Sequence, residues 1–249
     1  MGIELKSEWE LRRIRQAAEI VSEIAQALKK EIKPGISTKK LDQLAVDLIS
    51  KYNAQPAFLG YQNYPATICI SLNEEVVHGL PNEKKVIKEA DLVSLDLGVL
   101  YQGFYGDIAF TVGVGKIKEK ARKLLTVAEE ALNRAIKEVK IGKRVGDISR
   151  AIQSYVESNG FSVVRNYSGH GIGRDLHEEP QIPCFGESDT GARLLVGMVL
   201  ALETMVNEGT WPVKILPDCW TTVTADGLLS AHFEHMVLVS KSGPAVLTF

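Results

Sequence analysis

Cysteine is scarce in this chain. Cys69, Cys184 and Cys219 are odd in number, far apart and never in a CxxC arrangement. That excludes a disulfide framework and a zinc ribbon. Long apolar runs are lacking as well. No stretch approaches a membrane span, and the first residues carry no apolar run fit for a signal peptide. The expectation is a reducing, cytoplasmic setting without membrane contact. Charge of one sign is also missing: 29 Lys and Arg stand against 31 Asp and Glu, for a net charge of -2. That balance gives no global pull toward nucleic acid. The basic run KIKEKARKLL (116–125) alternates with acids and apolar residues, so it reads as a solvated helix face. Familiar catalytic loops are absent too. There is no GxSxG, GHGIG (169–173) is neither a Walker A loop nor GxGxxG, and VGVG (112–115) lacks nucleotide-loop acceptors.

What is present is an ordinary globular composition, 45% apolar and 24% charged over 249 residues. Such a chain can bury one large core or two small ones. No linker or low-complexity segment divides it, so residues 1–249 are expected to form a single domain.

Ser7-Glu8-Trp9-Glu10 fits a capping box, followed by Leu11, Ile14, Ala18, Val21, Ile24 and Leu28 at helical spacing. Pro34-Gly35 is the expected stop. Ser37 or Thr38 can cap a second helix carrying Leu41, Leu44, Ala45, Leu48 and Ile49. TICISL (67–72), DLVSLDLGVL (91–100) and FYGDIAFTVGV (104–114) then read as strands. The order begins again with helices over 117–139 and 146–159. Strand candidates follow at 161–165, 197–204, 219–225 and 228–239. The fold class expected is mixed α/β (α+β), with helices covering one side of a largely antiparallel sheet.

The carboxylates on these strands are out of place. Asp96 shares a strand face with the small residues Ser94 and Gly98, and Asp107 shares one with Tyr105, Ala109 and Thr111. If the two strands form a hairpin, both acids can enter one cavity, although the register stays open. Glu203 in MVLALETMV (198–206) and Glu234 in HFEHMVLV (232–239) sit in almost wholly apolar strands. Buried carboxylates are costly unless paired or bound to metal. Two histidines, His170 and His177, lie in the glycine-rich loop NYSGHGIGRDLHEEP (166–180). Taken singly, each has a structural reading: a turn cap, an ion pair, a sheet-edge position, a backbone bond. Together the acids would repel as bare anions, and divalent cations completed by a neutral histidine resolve the conflict. HFEH (232–235) is not HExxH, since on a strand His232 and Glu234 share a face while His235 points away. Cys69, inside apolar TICISL, reads as core packing or pocket lining rather than as a nucleophile.

At these residues the chain resembles the type I methionine aminopeptidases, enzymes that remove initiator methionine. The resemblance runs through PATICISLNEEVVHGLP (65–81), VSLDLGVLYQGFYGDIAFT (93–111), YSGHGIGRDLHEEP (167–180), LALETM (200–205) and LSAHFEHMVLV (229–239), in family order. It implies a pita-bread fold of two pseudo-symmetric halves. It also implies a dinuclear centre of Asp96, Asp107, His170, Glu203 and Glu234, with Asp107 and Glu234 bridging. His78 and His177 correspond to substrate-handling residues, and Glu203 is the preferred proton shuttle. Tyr61, Tyr64, Cys69 and Trp220 match the methionine pocket, with Phe58 and Leu176 at its edge. The implied reaction is hydrolysis after an N-terminal methionine by a water or hydroxide between two divalent ions, with manganese, iron, cobalt and zinc all compatible. N-terminal methionyl peptides and nascent chains are the implied partners, with transient ribosome contact and a monomeric state.

The chain departs from the family at three places. Phe58 and Leu176 replace a common cysteine and phenylalanine, and Gly98 stands where a threonine is frequent, which puts a monovalent-ion contact in doubt. The long helical insertion of the type II class and a zinc-binding N-terminal extension are missing, as expected of a short bacterial-type form. The rival readings are a proline-directed exopeptidase of the same fold, a non-enzymatic peptide-binding relative, and a metal-stabilised structural protein.

Overall fold

The computed structural model describes residues 2–249. In chain order it has α1 (Glu8–Glu31), α2 (Thr38–Lys51), β1 (Gln55–Pro56), β2 (Cys69–Leu72), β3 (Glu75–Val77), β4 (Leu92–Tyr101) and β5 (Phe104–Gly113). Then come α3 (Glu119–Glu138), α4 (Val145–Ser158), β6 (Ser162–Val163), β7 (Ser168–Gly171), β8 (Glu178–Pro183), β9 (Val199–Asn207), β10 (Val213–Ile215), β11 (Thr222–Thr224), β12 (Ser230–Ser240) and β13 (Gly243–Val246).

Local chemistry explains the boundaries. Ser7 caps α1: its hydroxyl accepts from the Glu10 amide, and the Glu10 carboxylate accepts from the Ser7 amide at 2.9 Å. Ser37, rather than Thr38, caps α2. The α1 helix ends at Glu31, before Pro34-Gly35. Between β4 and β5, Gln102 and Gly103 both take positive φ, 50° and 84°. A two-residue turn of that hand suits the twist of a tight hairpin.

The two halves repeat one plan, helix pair then long hairpin or strand pair. The α1 helix packs on β4 and β5, and α3 packs on β9 and β12. Each half has its own core. One gathers Val21, Ile24, Leu28 and Leu41 against Leu95, Leu97 and Ile108; the other gathers Leu124, Ala128 and Ile148 against Leu202 and Met205. Fully burying each such aliphatic side chain contributes about 1.5–3 kcal/mol. At Gly106 the approach of α1 is so close that a Cβ would lie 2.6 Å from the Ala17 carbonyl carbon.

The main sheet runs β1-β4-β5-β12-β9-β7-β8, every pairing antiparallel. The halves join where β5 meets β12, at Ala109 opposite Glu234. This is the pita-bread architecture: mixed α/β, with a pseudo-twofold antiparallel sheet covered by helices. The strand expected over 161–165 contracts to Ser162–Val163, and β1, β3, β7, β8, β10 and β13 lie outside the expected strands.

Candidate metal centre and active site

The β4–β5 register puts Asp107 opposite Gly98 and Asp96 opposite Ala109, so both acids share one face. On the other half, Glu203 stands directly opposite Glu234. His170 pairs with Ala201 on β9, two residues from Glu203. That corrects the loop reading of His170: it lies on β7. Its neighbour Gly169 allows this, because a Cβ there would sit 3.4 Å from the Glu203 amide and closer still to the Ala201 carbonyl. Glycine here marks close strand approach rather than a turn.

All the expected site residues converge. A cavity of about 280 Å³ is lined by Phe58, Tyr61, Tyr64, Cys69, His78, Asp96, Asp107, His170, Leu176, His177, Glu203, Trp220 and Glu234. One end is acidic. Asp107, His170 and Glu234 are buried, with ligand atoms within 4.8 Å of one another. Asp96 Oδ1, Asp107 Oδ1 and Glu234 Oε1 are buried without a hydrogen-bond partner among the described residues. Orphaned carboxylate oxygens of this kind are costly, and a cation satisfies them. His170 is oriented to join them. Its Nδ1 lies 3.0 Å from the Gly171 carbonyl oxygen, which can only accept, so Nδ1 carries the proton and Nε2 keeps its lone pair. The donor set of carboxylate oxygens and one imidazole nitrogen fits a divalent metal.

Burial pushes the Asp96 carboxyl up to about 7 and raises Asp107 and Glu234 well above the carboxylate range, with neighbouring acids adding to the effect. Glu203 goes the other way. Burial works to raise it, but a bond from His232 and the nearby imidazoles hold it below the ordinary value. Burial lowers His170 and His78. His177, whose outer edge meets solvent, is lowered to about 4 by desolvation of its inner part and by His170 beside it.

The other end is apolar and aromatic. Tyr64 and Trp220 meet edge to face at 5.0 Å, and Leu176 is buried. Burial raises the Cys69 thiol well above its usual value, so it stays neutral and serves as wall. Between the two ends, His177 Nδ1 lies 2.7 Å from the Tyr61 hydroxyl and its ring meets His170 edge to face, with centroids 4.3 Å apart. His78 holds φ of 57°, a left-handed conformation rare outside glycine and concentrated at functional sites.

Six further residues line the cavity, Gln62, Val77, Asn166, Tyr167, Ser168 and His232, and two of them touch the histidine or acid machinery directly. Tyr167 packs edge to face on His78 at 5.2 Å. His232 bonds to Glu203; its sharing a strand face with Glu234 was the available signal.

Buried acids and a histidine converging on a cavity, across the two halves of this sheet, form a candidate metal centre. The model of metallopeptidase family M24 matches residues 12–241. A methionine aminopeptidase of Bacillus subtilis is 50% identical over 243 residues, covering 98% of each chain. One from Clostridium acetobutylicum is 47% identical over 244 residues, again covering 98% of each. A crystal structure of methionine aminopeptidase from Thermotoga maritima superposes with a TM-score of 0.98 at 46% identity, covering 99% of both chains. The chain belongs to the M24 metallopeptidase family, and within it to the type I methionine aminopeptidases.

Proposed function

We propose that this chain hydrolyses the peptide bond after an N-terminal methionine, with Asp96, Asp107, His170, Glu203 and Glu234 holding two divalent ions. The observation that carries this reading is the trio of buried, unpartnered carboxylate oxygens on Asp96, Asp107 and Glu234 beside an imidazole with its lone pair free. Aminopeptidases are a standing example of two-metal chemistry, in which the ions activate water and polarise the scissile carbonyl.

The chain's own residues do the rest. Glu203, held anionic, accepts a proton from the attacking water and returns it to the leaving amine. His177, with the Tyr61 hydroxyl donating to Nδ1, carries its proton on Nε2 and donates to the carbonyl oxygen as charge develops. His78, fixed in its strained conformation and against Tyr167, bonds the scissile amide. Phe58, Tyr64, Cys69, Leu176 and Trp220 form an apolar seat for an unbranched thioether. A charged side chain is rejected there by its desolvation cost. Residues 1–249 act as one domain, since both halves contribute strands to one sheet. N-terminal methionyl peptides and nascent chains are the substrates, taken by a cytoplasmic monomer that touches the ribosome only in passing.

The test is reconstitution of chelator-treated protein with manganese, iron, cobalt or zinc, followed by assay on Met-Ala-Ser and on Xaa-Pro peptides. Two ions per chain and cleavage of Met-Ala-Ser alone are expected. Cleavage confined to Xaa-Pro peptides, or a metal-loaded chain that leaves both intact, would overturn the reading.

A further inference from the structure

His232 is placed with unusual care for a residue outside the expected ligand set. It is buried, 3% exposed, two residues before Glu234 and therefore on the same face of β12. Its backbone is locked from β5. Thr111 Oγ1 accepts from the His232 amide and donates to the His232 carbonyl oxygen, each at 2.8 Å. The Ser94 hydroxyl then donates to Thr111, also at 2.8 Å. This side-chain clasp holds the two strands beyond their single ladder pair at Ala109 and Glu234.

The imidazole so fixed reaches across to β9, where Nε2 lies 3.0 Å from Glu203 Oε2. A carboxylate can only accept, so Nε2 carries the proton. Among the described residues, this is the one hydrogen bond made to the Glu203 carboxylate. Glutamate has three side-chain torsions, and nothing else polar restrains them here.

We infer that His232 is the positioning residue for Glu203: it anchors Oε2 so that Oε1 is presented to the metal centre. The inference rests on the two-ion reading above. His232 lines the cavity, and the role inferred here is exerted through Glu203, as by outer partners of ligating carboxylates. What it must supply is a donor at a fixed place. A neutral amide of similar reach can replace it, and a methyl cannot.

The experiment uses chelator-treated full-length protein, titrated with Mn(II) and followed by calorimetry, for wild type, His232→Ala and His232→Gln. The alanine variant is expected to lose about 10–100-fold in affinity for one ion while the other binds as before. The glutamine variant should return to within about threefold of wild type. Substitution with Co(II) adds a second readout, since the visible band of one ion should change in the alanine variant and recover in the glutamine variant. If alanine disturbs folding, His232→Asn, whose amide is too short to reach Glu203, makes the same comparison. An alanine or asparagine variant that titrates like wild type would overturn the inference alone, as would a glutamine variant no better than alanine. A wild-type chain that takes up no Mn(II) would overturn the two-ion reading and this inference with it.

Discussion

Glu203 and Glu234 are direct partners across the β9–β12 ladder, two carboxyl groups facing each other in one cavity. Opposed like charges destabilise a sheet, and burial makes the effect larger. A metal-free chain should therefore be strained at this pair. A carboxyl raised on folding binds its proton more tightly folded than unfolded. Stability is then lost as pH rises from the ordinary carboxylate range toward the raised value. Glu234 is such a group. In Glu234→Gln that contribution is gone. Denaturant titration of both chelator-treated chains should find the variant gaining on wild type as pH rises from 5 to 9, by about 1 kcal/mol or more at the top of that range. Buried imidazoles such as His170 and His177 slope the opposite way, losing stability as pH falls, but they are common to both chains and cancel in the difference. A constant difference across pH would count against electrostatic strain at this pair.

The same acids govern metal uptake. Asp96 titrates at about 7 in the absence of metal because burial favours its neutral form. Its proton must leave before it can ligate. Below about 7 proton and metal compete, so affinity should fall as pH drops, by up to about tenfold per pH unit for each proton displaced. Calorimetry of Mn(II) binding at pH 6.5 in two buffers of different ionisation enthalpy measures the protons released. At least one per chain is expected. Buffer-independent heats would mean that the acids are already ionised and the site less desolvated than its geometry indicates.

Ions that bind the folded chain alone must also stabilise it. At a free concentration 100 times the dissociation constant, one ion adds about 2.7 kcal/mol. Thermal unfolding with and without Mn(II) should show this rise in wild type. Asp107→Asn should remove most of it, because Asp107 belongs to the buried cluster with His170 and Glu234. An equal rise in the two chains would place the ion elsewhere.

Much of this arrangement is written in local sequence. The capping box at Ser7 and Glu10 and the helical stripe from Leu11 to Leu28 are short-range signals, and the structure follows them. Asp96 and Asp107 were legible as same-face acids because strand alternation has a period of two. Alternation alone leaves their register open, and the two-residue turn at Gln102 and Gly103 sets it. His170 reads as a loop residue because its flanking glycines resemble turn residues, whereas Gly169 lets β7 lie against β9 and Gly171 lets it lie against β8. Strands of three residues such as Glu75–Val77 and Val213–Ile215 are too short to show a period. His232 could be placed on the face of Glu234, but its partner Glu203 is 29 residues away and only the β9–β12 register brings them together.

Two departures from the family pattern turn out to be one. A Cβ on Gly98 would lie 2.8 Å from both the Ala57 Cβ and the Phe58 Cε1. The Phe58 ring thus occupies the space of a side chain at position 98. Gly98→Thr should push that ring into the methionine pocket, raising KM for Met-Ala-Ser about tenfold and costing about 1–3 kcal/mol of stability. Adding Phe58→Cys should recover part of both losses, a coupling expected of residues in contact. Full additivity in a double-mutant cycle on unfolding would show that the two positions are independent.

His177 offers the cleanest separation of chemistry from folding. Its ring is partly open to solvent, and among the described residues its side chain bonds to the Tyr61 hydroxyl alone. Truncation opens no core cavity, so His177→Ala should stay within about 0.5 kcal/mol of wild type in stability. Removing a donor aimed at developing oxyanion charge lowers kcat by about 10²–10³-fold in comparable sites. The loss should appear in kcat and in kcat/KM alike, because the interaction strengthens only as charge builds on the carbonyl oxygen. Since the imidazole titrates at about 4, it is neutral throughout pH 6–8, and its protonation should not shape the activity profile there. Tyr61→Phe supplies the control. It removes the hydroxyl that holds Nδ1, leaves the imidazole in place, and should give a smaller loss than His177→Ala. Steady-state kinetics on Met-Ala-Ser with metal content measured on the same samples decides the matter. A variant with full metal and full turnover would strip His177 of its role, and one with normal kcat but raised KM would make it a binding residue only.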